Sequence, residues 1–507
     1  MNVNEMPSSS TRPSFYDAFV KWLYSSNRSI SMFEEAPLSD MLTCVQLLQD
    51  QQRLIDEVSR AFHSIDEPKT MLMEMIEIFQ PCFCHPWSSI RRLSLNVLRL
   101  FDPHLSYIKL KNEDESRTVF SILLDAENTP ATMDTYRQRV AILRKLKYGS
   151  HSRYLPLNFS NELLENLILR FYLAQLFDNF TLLWPMVAEL VESYAYGLPI
   201  DQFWAEFGDV LLQVTRKIHS FETLDQESTQ LMSQFESEKQ IVPDYFSFRL
   251  QLFKLLGGFT DVAERRTKIL SPVLIDLYRD EFQPSDNSSQ RTEDLTSNRN
   301  VEEAPESVEA ENVQKPQRYG RKRTSKALQL LLNVFAQFSS AKSVFRESEI
   351  REIYEELLLS SEPELQKAAL NCVFSYRFKF LTPYRENFEN IIDEKKFRDE
   401  LVRFTIDEQN SVVEEEHRLE LMPFLMRLLY GKLQAHVATR GQTKRAAIFR
   451  YLASCRPSEL DVFFNVLFRS LSGIFDISKL LNLSSFCETI ANEYKPKQTI
   501  PLRKVQR

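Results

Sequence analysis

The sequence predicts an all-α protein built as a HEAT/armadillo-like α-solenoid, and three observations lead to this fold class. Only 9 of the 507 residues are glycine, where about 7% is usual. Apolar residues recur at spacings of three and four along most of the chain, which is typical of helices that bury one stripe. The alternating pattern of half-buried strands is essentially absent. Successive amphipathic helices with short joints stack into a solenoid in which each repeat covers its neighbour.

Residues 1–283 form the first predicted segment, an N-terminal helical-repeat solenoid. Residues 90–100 and 161–176 each carry apolar side chains on one side of a predicted helix. Short breaks separate such blocks about every 15 to 35 residues, because proline cannot continue a helix. These breaks include Glu67-Pro68, Pro81, Pro86, Asp102-Pro103, Thr129-Pro130, Gly197-Leu198-Pro199 and Val242-Pro243.

Residues 284–326 form a predicted disordered linker that is first acidic and then basic. Residues 284–314 contain eight acids, two arginines and no aromatic residue, too little apolar area to offset the entropy of the chain. Residues 315–326 contain six lysines and arginines and no acid. This basic cluster is interpreted either as a nuclear-localisation signal or as a solvated linker end whose charges compensate the acidic run. The localisation candidates are Arg318, Arg321, Lys322, Arg323 and Lys326.

Residues 327–507 form the third predicted segment, again of helical repeats. Ser361 to Glu364 fits a capping box that opens a helix over Leu365–Phe374, and Thr382-Pro383 fits a cap followed by proline at the first helical position. Ser458 is predicted to open a helix over Leu460–Leu471. A further long stripe consists of Leu419, Met422, Leu425, Leu428, Leu429 and Leu433.

No arrangement of residues indicates an enzyme, a metal site or a cofactor. The glycine content is too low for folds built on glycine-rich phosphate loops, and no catalytic motif is assembled in the sequence. Cys82-Phe83-Cys84-His85 supplies only three local ligands, where a zinc site needs four. We therefore predict no catalytic residue, no metal, no cofactor and no small-molecule substrate.

The charge and cysteine content limit the compartment and the partners. The net charge is −8, which argues against a protein that is basic overall but permits local basic surfaces. Six cysteines in so long a chain imply no disulfide framework and indicate a reducing compartment. No signal peptide and no apolar run of transmembrane length is evident, so no membrane association is expected.

Two stretches without acids are candidate phosphate-binding surfaces. The first basic window is residues 135–161, in which Tyr136, Tyr148 and Tyr154 are available to stack on bases. The second basic window is residues 421–458, where Gly431 and Gly441 are expected to bracket a turn that presents Arg440 and Lys444. Alternatively, each window is a solvated helix face or pairs with acids of a neighbouring repeat. The phosphate-binding candidates are Arg137, Arg139, Arg144, Lys145 and Lys147 in the first window and Arg427, Lys432, Arg440, Lys444, Arg445, Arg450 and Arg456 in the second.

Several blocks of the C-terminal third resemble a known family in the same order. The stretch LTPYRENFENIIDEKKFRDEL (381–401), the stretch EEEHRLELMPFLMRLLYGKL (414–433) and the stretch KRAAIFRYLASCRPSELDVFFNVLF (444–468) carry the resemblance. They are similar to blocks of the U3 small nucleolar RNA-associated protein 20 family, also called the down-regulated-in-metastasis family. Together with the lead-in LQKAALNCVFSYRFKF, they cover residues 327–471 approximately.

The resemblance implies a nuclear and nucleolar component of the small-subunit processome. It implies a non-catalytic HEAT-type scaffold that supports pre-rRNA processing toward 18S rRNA, with pre-rRNA, U3 small nucleolar RNA and processome proteins as partners. Family members exceed two thousand residues, so the chain is expected to be an N-terminal portion of a longer protein. An alternative interpretation from the acidic balance is a HEAT-type transport receptor or an adaptor that binds only proteins.

Overall fold

A computed structural model describes residues 68–99, 101–107, 118–157, 159–220, 243–283, 321–407, 410–434 and 441–467. These residues form helices joined by short connections, and no strand occurs among them. The predicted all-α class is therefore confirmed. The chain divides into two compact units, the first ending at Val262 and the second beginning at Ala263.

The first unit is built from amphipathic helices that begin mostly after short turns. Thr118 caps one of them through a capping box in which its hydroxyl accepts from the Ser121 amide. Asp244 caps another by accepting from the Ser247 amide. The helices are α1 (Pro68–Phe83), α2 (Ser88–Arg99), α3 (Val119–Asn128), α4 (Tyr136–Arg144), α5 (Asn161–Ala174), α6 (Trp184–Gly197), α7 (Ile200–Ser220), α8 (Tyr245–Leu256) and α9 (Thr260–Glu264), the last of which crosses the boundary.

The helices of the first unit pack mainly against the next helix or the next but one, and α1 also packs against α5. Helix α5 contacts α1, α6 and α7, and α7 in turn contacts α8. The core between them is aromatic and fully buried, with Phe171, Tyr172, Phe203 and Phe207 at its centre. The Tyr172 hydroxyl donates to the carbonyl of Leu143 at 2.9 Å, which satisfies the one polar atom of that buried ring.

The second unit is built in the same way. The helices are α10 (Thr267–Asp276, continued by a π-helical turn at Leu277–Phe282), α11 (Arg321–Phe335), α12 (Glu347–Leu357), α13 (Pro363–Ser375), α14 (Arg385–Ile392), α15 (Phe397–Arg403), α16 (Glu415–Gln434), α17 (Gly441–Leu452) and α18 (Pro457–Leu467). Helix α13 packs on α11, α12 and α14, while α16 packs on α14, α17 and α18. Leu332, Leu370, Phe388 and Leu425 are buried at these contacts.

Six side-chain hydrogen-bonded pairs join residues that are separated by a nearly constant number of positions in the sequence. In the first unit Arg91 pairs with Glu127, Arg139 with Gln175 and Arg170 with Glu206, each 36 residues apart. In the second unit the separations are 37 residues from Ser325 to Glu362, 40 from Ile392 to Lys432 and 41 from Arg418 to Glu459. We call these pairs the rungs.

Some predicted boundaries are wrong in detail. Helix α13 begins at Pro363 with Glu362 in the cap position and no side-chain capping bond, so Ser361 does not form the expected capping box; the Glu362 carboxylate instead accepts from Ser325. Pro81 lies within the last turn of α1 and does not break it. Helix α18 begins at Pro457, earlier than predicted.

The apolar stripe of α16 is confirmed for Met422, Leu425, Leu428 and Leu429 but not for Leu419, which is 84% exposed. Leu419 lies about 120° around the helix from the centre of the buried stripe, since each residue advances about 100°.

The predicted linker lies mainly outside the described residues. Helix α11 begins at Arg321 and therefore includes the last six residues that the sequence assigned to the linker. Thr324 and Ser325 are buried within those six residues, which explains why a basic stretch is helical here. The predicted domain boundaries otherwise stay predictions.

Candidate nucleic-acid interface

Arg139 of the first basic window lies inside the first unit. It is 3% exposed, and its guanidinium lies 3.1 Å from the Asp178 carboxylate and 3.8 Å from that of Glu127. It also donates to the Gln175 side chain. Buried arginines need such partners, because an unpaired buried charge is costly. Arg139 is therefore a structural residue here, and its charge is not available to a phosphate.

Two other cations of the first basic window share one acid. Lys147 and Arg144 lie 2.7 Å and 3.3 Å from the carboxylate of Glu189, which belongs to helix α6. The pKa of Glu189 is lowered, chiefly by its hydrogen bond from Lys147. Arg137 is exposed and lies over the ring of its neighbour Tyr136, and Lys145 is half-buried. The expected alternative of pairing with a neighbouring element thus accounts for part of this window.

The tyrosines of the first basic window take part in packing. Tyr136 lies against Phe180 with ring centroids 5.5 Å apart, and Tyr148 lies edge-on to the buried Tyr194 at 5.4 Å. The Tyr148 ring also occupies the space beside Gly197, where a Cβ atom would lie 2.1 Å from it. The tyrosines that sequence reasoning offered for base stacking are thus largely engaged by the protein.

Lys432 and Lys444 of the second basic window converge on Glu394. Lys432 is 3% exposed, and its ammonium donates to the carbonyl of Ile392 and lies 3.3 Å from the Glu394 carboxylate. Lys444 lies 2.8 Å from the same carboxylate and over the ring of Phe397. Burial lowers the pKa of Lys432, while the Glu394 charge opposes that shift. Both lysines hold α16 and α17 to the connection between α14 and α15.

Arg427 and Arg456 are also paired with acids that are distant in sequence. Arg427 lies 2.9 Å from the Glu355 carboxylate of α12, and Arg456 is bidentate to Glu415 of α16. Arg440 lies outside the described residues. Four of the seven candidates in this window therefore carry a charge that the fold already balances.

The turn expected between Gly431 and Gly441 lies outside the described residues, since α16 ends at Gln434 and α17 begins at Gly441. Gly431 is buried in the interior of α16, where an added Cβ would lie 2.3 Å from the Gln366 amide nitrogen and 2.6 Å from the Ser360 carbonyl oxygen. The glycine is there because α16 passes close to the α12–α13 connection, and not because the chain turns.

Helix α17 carries two exposed cations on its outward face. Lys444, Ile448, Tyr451 and Leu452 face inward, and the Tyr451 hydroxyl donates to the Phe404 carbonyl at 2.7 Å. On the opposite side, Arg445 and Arg450 are exposed, and within the described part of the chain no carboxylate pairs with either one. Phe449 lies between them and is 57% exposed. We call Arg445, Phe449 and Arg450 the outward face of α17.

Sequence reasoning named the two arginines of this face but not Phe449. The signal was present in the spacing, since inward positions 444, 448, 451 and 452 place residue 449 on the other side of the helix. The acid-free pattern alone did not separate paired cations from exposed ones, because the acids that pair with them come from other parts of the chain.

The candidates for nuclear localisation lie at the start of α11. Arg321, Lys322, Arg323 and Lys326 are all exposed, and Arg318 lies outside the described residues. Arg321 lies 3.6 Å from the Glu362 carboxylate and over the ring of Phe282. Three of the four described cations are therefore available at the surface without an acid at pairing distance.

The cysteine–histidine cluster lies beside a small cavity whose lining also includes Lys217 and Gln213. Burial raises the pKa of Cys84 to about 11 and lowers that of His85 to about 3, so a neutral thiol and a neutral imidazole are present at pH 7. They line a cavity of about 40 Å³, far smaller than the cavities that hold cofactors. No group of three or more potential metal ligands occurs among the described residues.

None of the described helices combines the length and the apolar character that crossing a bilayer requires. The described helices and the outward face of α17 together define a class of protein: a helical protein with a local cationic surface.

The comparisons with known proteins specify the class further. Residues 322–507 match the family model described as U3 small nucleolar RNA-associated protein 20, N-terminal. A U3 small nucleolar RNA-associated protein 20 of Schizosaccharomyces pombe is 29% identical over 149 residues, which are 29% of this chain and 6% of that protein. The protein of the same name from Saccharomyces cerevisiae is 28% identical over 119 residues, which are 24% of this chain and 5% of the relative.

The resemblance found in the sequence is confirmed by these matches. Residues 322–507 are similar to the N-terminal region of the U3 small nucleolar RNA-associated protein 20 family. This part of the chain includes helix α17 and its outward face. The matched segments span only a small part of the length of the curated relatives.

Proposed function

We propose that the chain acts in ribosome biogenesis as a non-catalytic scaffold of the small-subunit processome. In this role it binds rRNA, U3 small nucleolar RNA and assembly factors, and it supports pre-rRNA processing toward 18S rRNA in the nucleolus. The observation that carries the proposal is the family match over residues 322–507, since the names of the relatives associate them with U3 small nucleolar RNA.

The scaffold part of the proposal rests on a HEAT/armadillo-like solenoid. It is supported by the rungs that join a helix to the next but one, Arg170 with Glu206 in the first unit and Arg418 with Glu459 in the second, which lie 36 and 41 residues apart. Such links are expected where two-helix repeats of similar length stack on one another. The contacts of α11 with α13 and of α5 with α7 fit the same scheme, because each helix meets its equivalent in the next repeat.

The RNA-binding part of the proposal rests on the outward face of α17. Arg445 and Arg450 keep their charges exposed, and among the described residues no carboxylate pairs with either one, which leaves both charges available to a phosphate backbone. Such contacts position an RNA without reading its sequence, so binding is expected to weaken with salt and to depend little on base identity.

The first test is crosslinking of the tagged full chain to RNA in cells, followed by sequencing of the attached RNA. We expect pre-rRNA reads, reduced about tenfold or more by the double variant Arg445→Glu/Arg450→Glu, because two attractive charges become repulsive. The matched control is Arg377→Glu/Lys379→Glu, which makes the same charge change at two exposed cations outside the basic windows. Recovery of proteins without RNA would favour the protein-only adaptor or transport receptor.

A second test addresses the proposed nuclear location. Replacement of Lys322, Arg323 and Lys326 by alanine removes three exposed cations at the start of α11 and should shift a fluorescently tagged chain toward the cytoplasm. An unchanged nuclear signal would assign import to another segment or to a bound partner. The control is Lys395→Ala/Lys396→Ala, which removes two adjacent exposed cations elsewhere in the same unit.

A further inference from the structure

The Phe449 ring is exposed because of the residues that surround it on helix α17. Its helical neighbours on the outward side are Ala446, three residues before it, and Ala453, four residues after it, and both are exposed. Neighbours at these spacings normally cover a large side chain, but a methyl group cannot cover a phenyl ring. A 57% exposed phenylalanine in a well-packed unit therefore presents an open aromatic surface.

The two arginines flank this ring on different sides. With about 100° per residue, Arg445 lies about 40° and Arg450 about 100° from Phe449 around the helix, in opposite directions. Arg445 is also one turn before Phe449, where side chains are neighbours. The aromatic surface is thus bordered by two cations that no acid of the described chain neutralises.

We propose that the outward face of α17 binds an unpaired nucleotide of single-stranded RNA. One base stacks on the Phe449 ring, and the phosphates on either side contact Arg445 and Arg450. An aromatic platform beside positive charges is the arrangement that binds single strands without reading their sequence, and the bases of a duplex are not free to stack on a side chain. This inference rests on the proposed RNA-binding function and specifies the form of RNA at that site.

The test is equilibrium binding of the full chain to a fluorescein-labelled oligouridylate and to an RNA duplex of the same length. Phe449→Leu keeps an apolar side chain but removes the aromatic surface, and we expect it to weaken single-strand binding about tenfold. Phe449→Trp should retain the affinity. Phe345→Leu changes another exposed phenylalanine of the second unit, 42% exposed, and should have no effect.

The salt dependence separates stacking from charge. Each phosphate contact with a single strand contributes about 0.7 to the slope of log affinity against log salt. Arg445→Gln/Arg450→Gln should therefore lower this slope by about 1.4, while Phe449→Leu should leave it unchanged. Thermal unfolding of each variant should match that of the parent, since all three side chains are exposed.

The outcomes distinguish this inference from the proposed function. If the arginine variant loses RNA binding but Phe449→Leu binds like the parent, the stacking site is wrong and the RNA-binding function stands. Equal affinity of the parent chain for the duplex and for the single strand would also overturn the inferred stacking site. If the parent chain binds neither RNA, both proposals for this face fail. Loss of co-purifying processome proteins in Phe449→Leu, without any change in RNA affinity, would make the face a protein-binding surface and overturn the inference.

Discussion

The two basic windows have the same character in sequence but different roles in the structure. In the first, Arg139 is buried among Glu127, Asp178 and Gln175, and the tyrosines between the cations pack against the protein. In the second, the paired cations belong to α16, to the start of α17 and to the turn before α18, while the outward face of α17 leaves two arginines and a phenylalanine exposed.

The difference shows that a stretch without acids along the chain is not free of acids in space. Glu189 and Glu355 come from other helices and Glu394 from the connection between α14 and α15, and they pair with cations 38 to 72 residues away. Only the side of a helix that faces away from every neighbour escapes this pairing. The location of a cation on the helix therefore decides whether it is part of the fold or part of a binding surface.

The largest expected effect compares the removal of a buried ion-pair partner with the removal of an exposed one, for cations of the first basic window. Glu127→Ala leaves Arg91, which is 0% exposed, and Arg139 without their shared carboxylate. We expect a loss of about 3–5 kcal/mol in the free energy of unfolding, measured in urea. Glu189→Ala removes the shared partner of two exposed cations and should cost less than about 1 kcal/mol. Similar losses in the free energy of unfolding for both variants would show that burial does not determine how much such an ion pair contributes to stability.

A second expected effect compares the same charge reversal at a buried cation and at an exposed cation of the second basic window. Lys432→Glu places a carboxylate beside the Ile392 carbonyl and Glu394 in a buried position, so we expect a loss of about 3 kcal/mol or more. Arg445→Glu makes the same charge change on the outward face and should leave stability nearly unchanged. Urea unfolding of both variants tests this, and equal losses would contradict the assignment of Lys432 to the interior.

A third expected effect depends on pH and involves Asp102 of the first unit. Burial raises its pKa to about 6, although hydroxyls of Thr118 and Tyr107 donate to it at 2.6 Å and 2.7 Å. The folded carboxyl thus holds its proton more tightly than the unfolded one, whose pKa is about 3.8. The stability that Asp102 contributes is full below pH 4 and is lost as the pH rises to about 6.

Asp102→Asn removes this titration, so the parent should lose stability relative to the variant between pH 4 and pH 6 and not above pH 7. Urea midpoints of both proteins across this range provide the measurement. Parallel curves would mean that the carboxyl titrates alike in the folded and unfolded chains.

The smallest expected effect concerns an exposed arginine that is outside both windows. Arg377 has a φ of 53°, in the left-handed region that costs a residue with a side chain about 1 kcal/mol. Arg377→Gly should therefore raise the free energy of unfolding by up to about 1 kcal/mol, whereas Arg445→Gly in the helix should lower it by a similar amount. Equal changes in the free energy of unfolding at both positions would show that the left-handed backbone of Arg377 does not cause the effect.

The helices were largely predictable from the sequence, and the candidate surface was only partly so. Spacings of three and four gave the inward sides of α5 and α16, since periodicity is a local property. The cap at Glu362 was missed because its carboxylate accepts from Ser325 of another helix. The exposure of Leu419 was missed although the helical period places that residue away from the buried stripe. Arg445 and Arg450 were found together with Arg139 and Lys432 because sequence charge carries no information on burial.

The rungs have a consequence for how related sequences diverge. A rung requires two groups that reach each other, and the connections between the helices can lengthen or shorten without disturbing it, as separations of 36 to 41 residues indicate. This explains why no fixed period is visible in the amino-acid sequence. The two members of a rung, such as Arg91 and Glu127, are thus expected to be replaced together during evolution. Covariation between such positions would reveal the repeats even where residue identity no longer does.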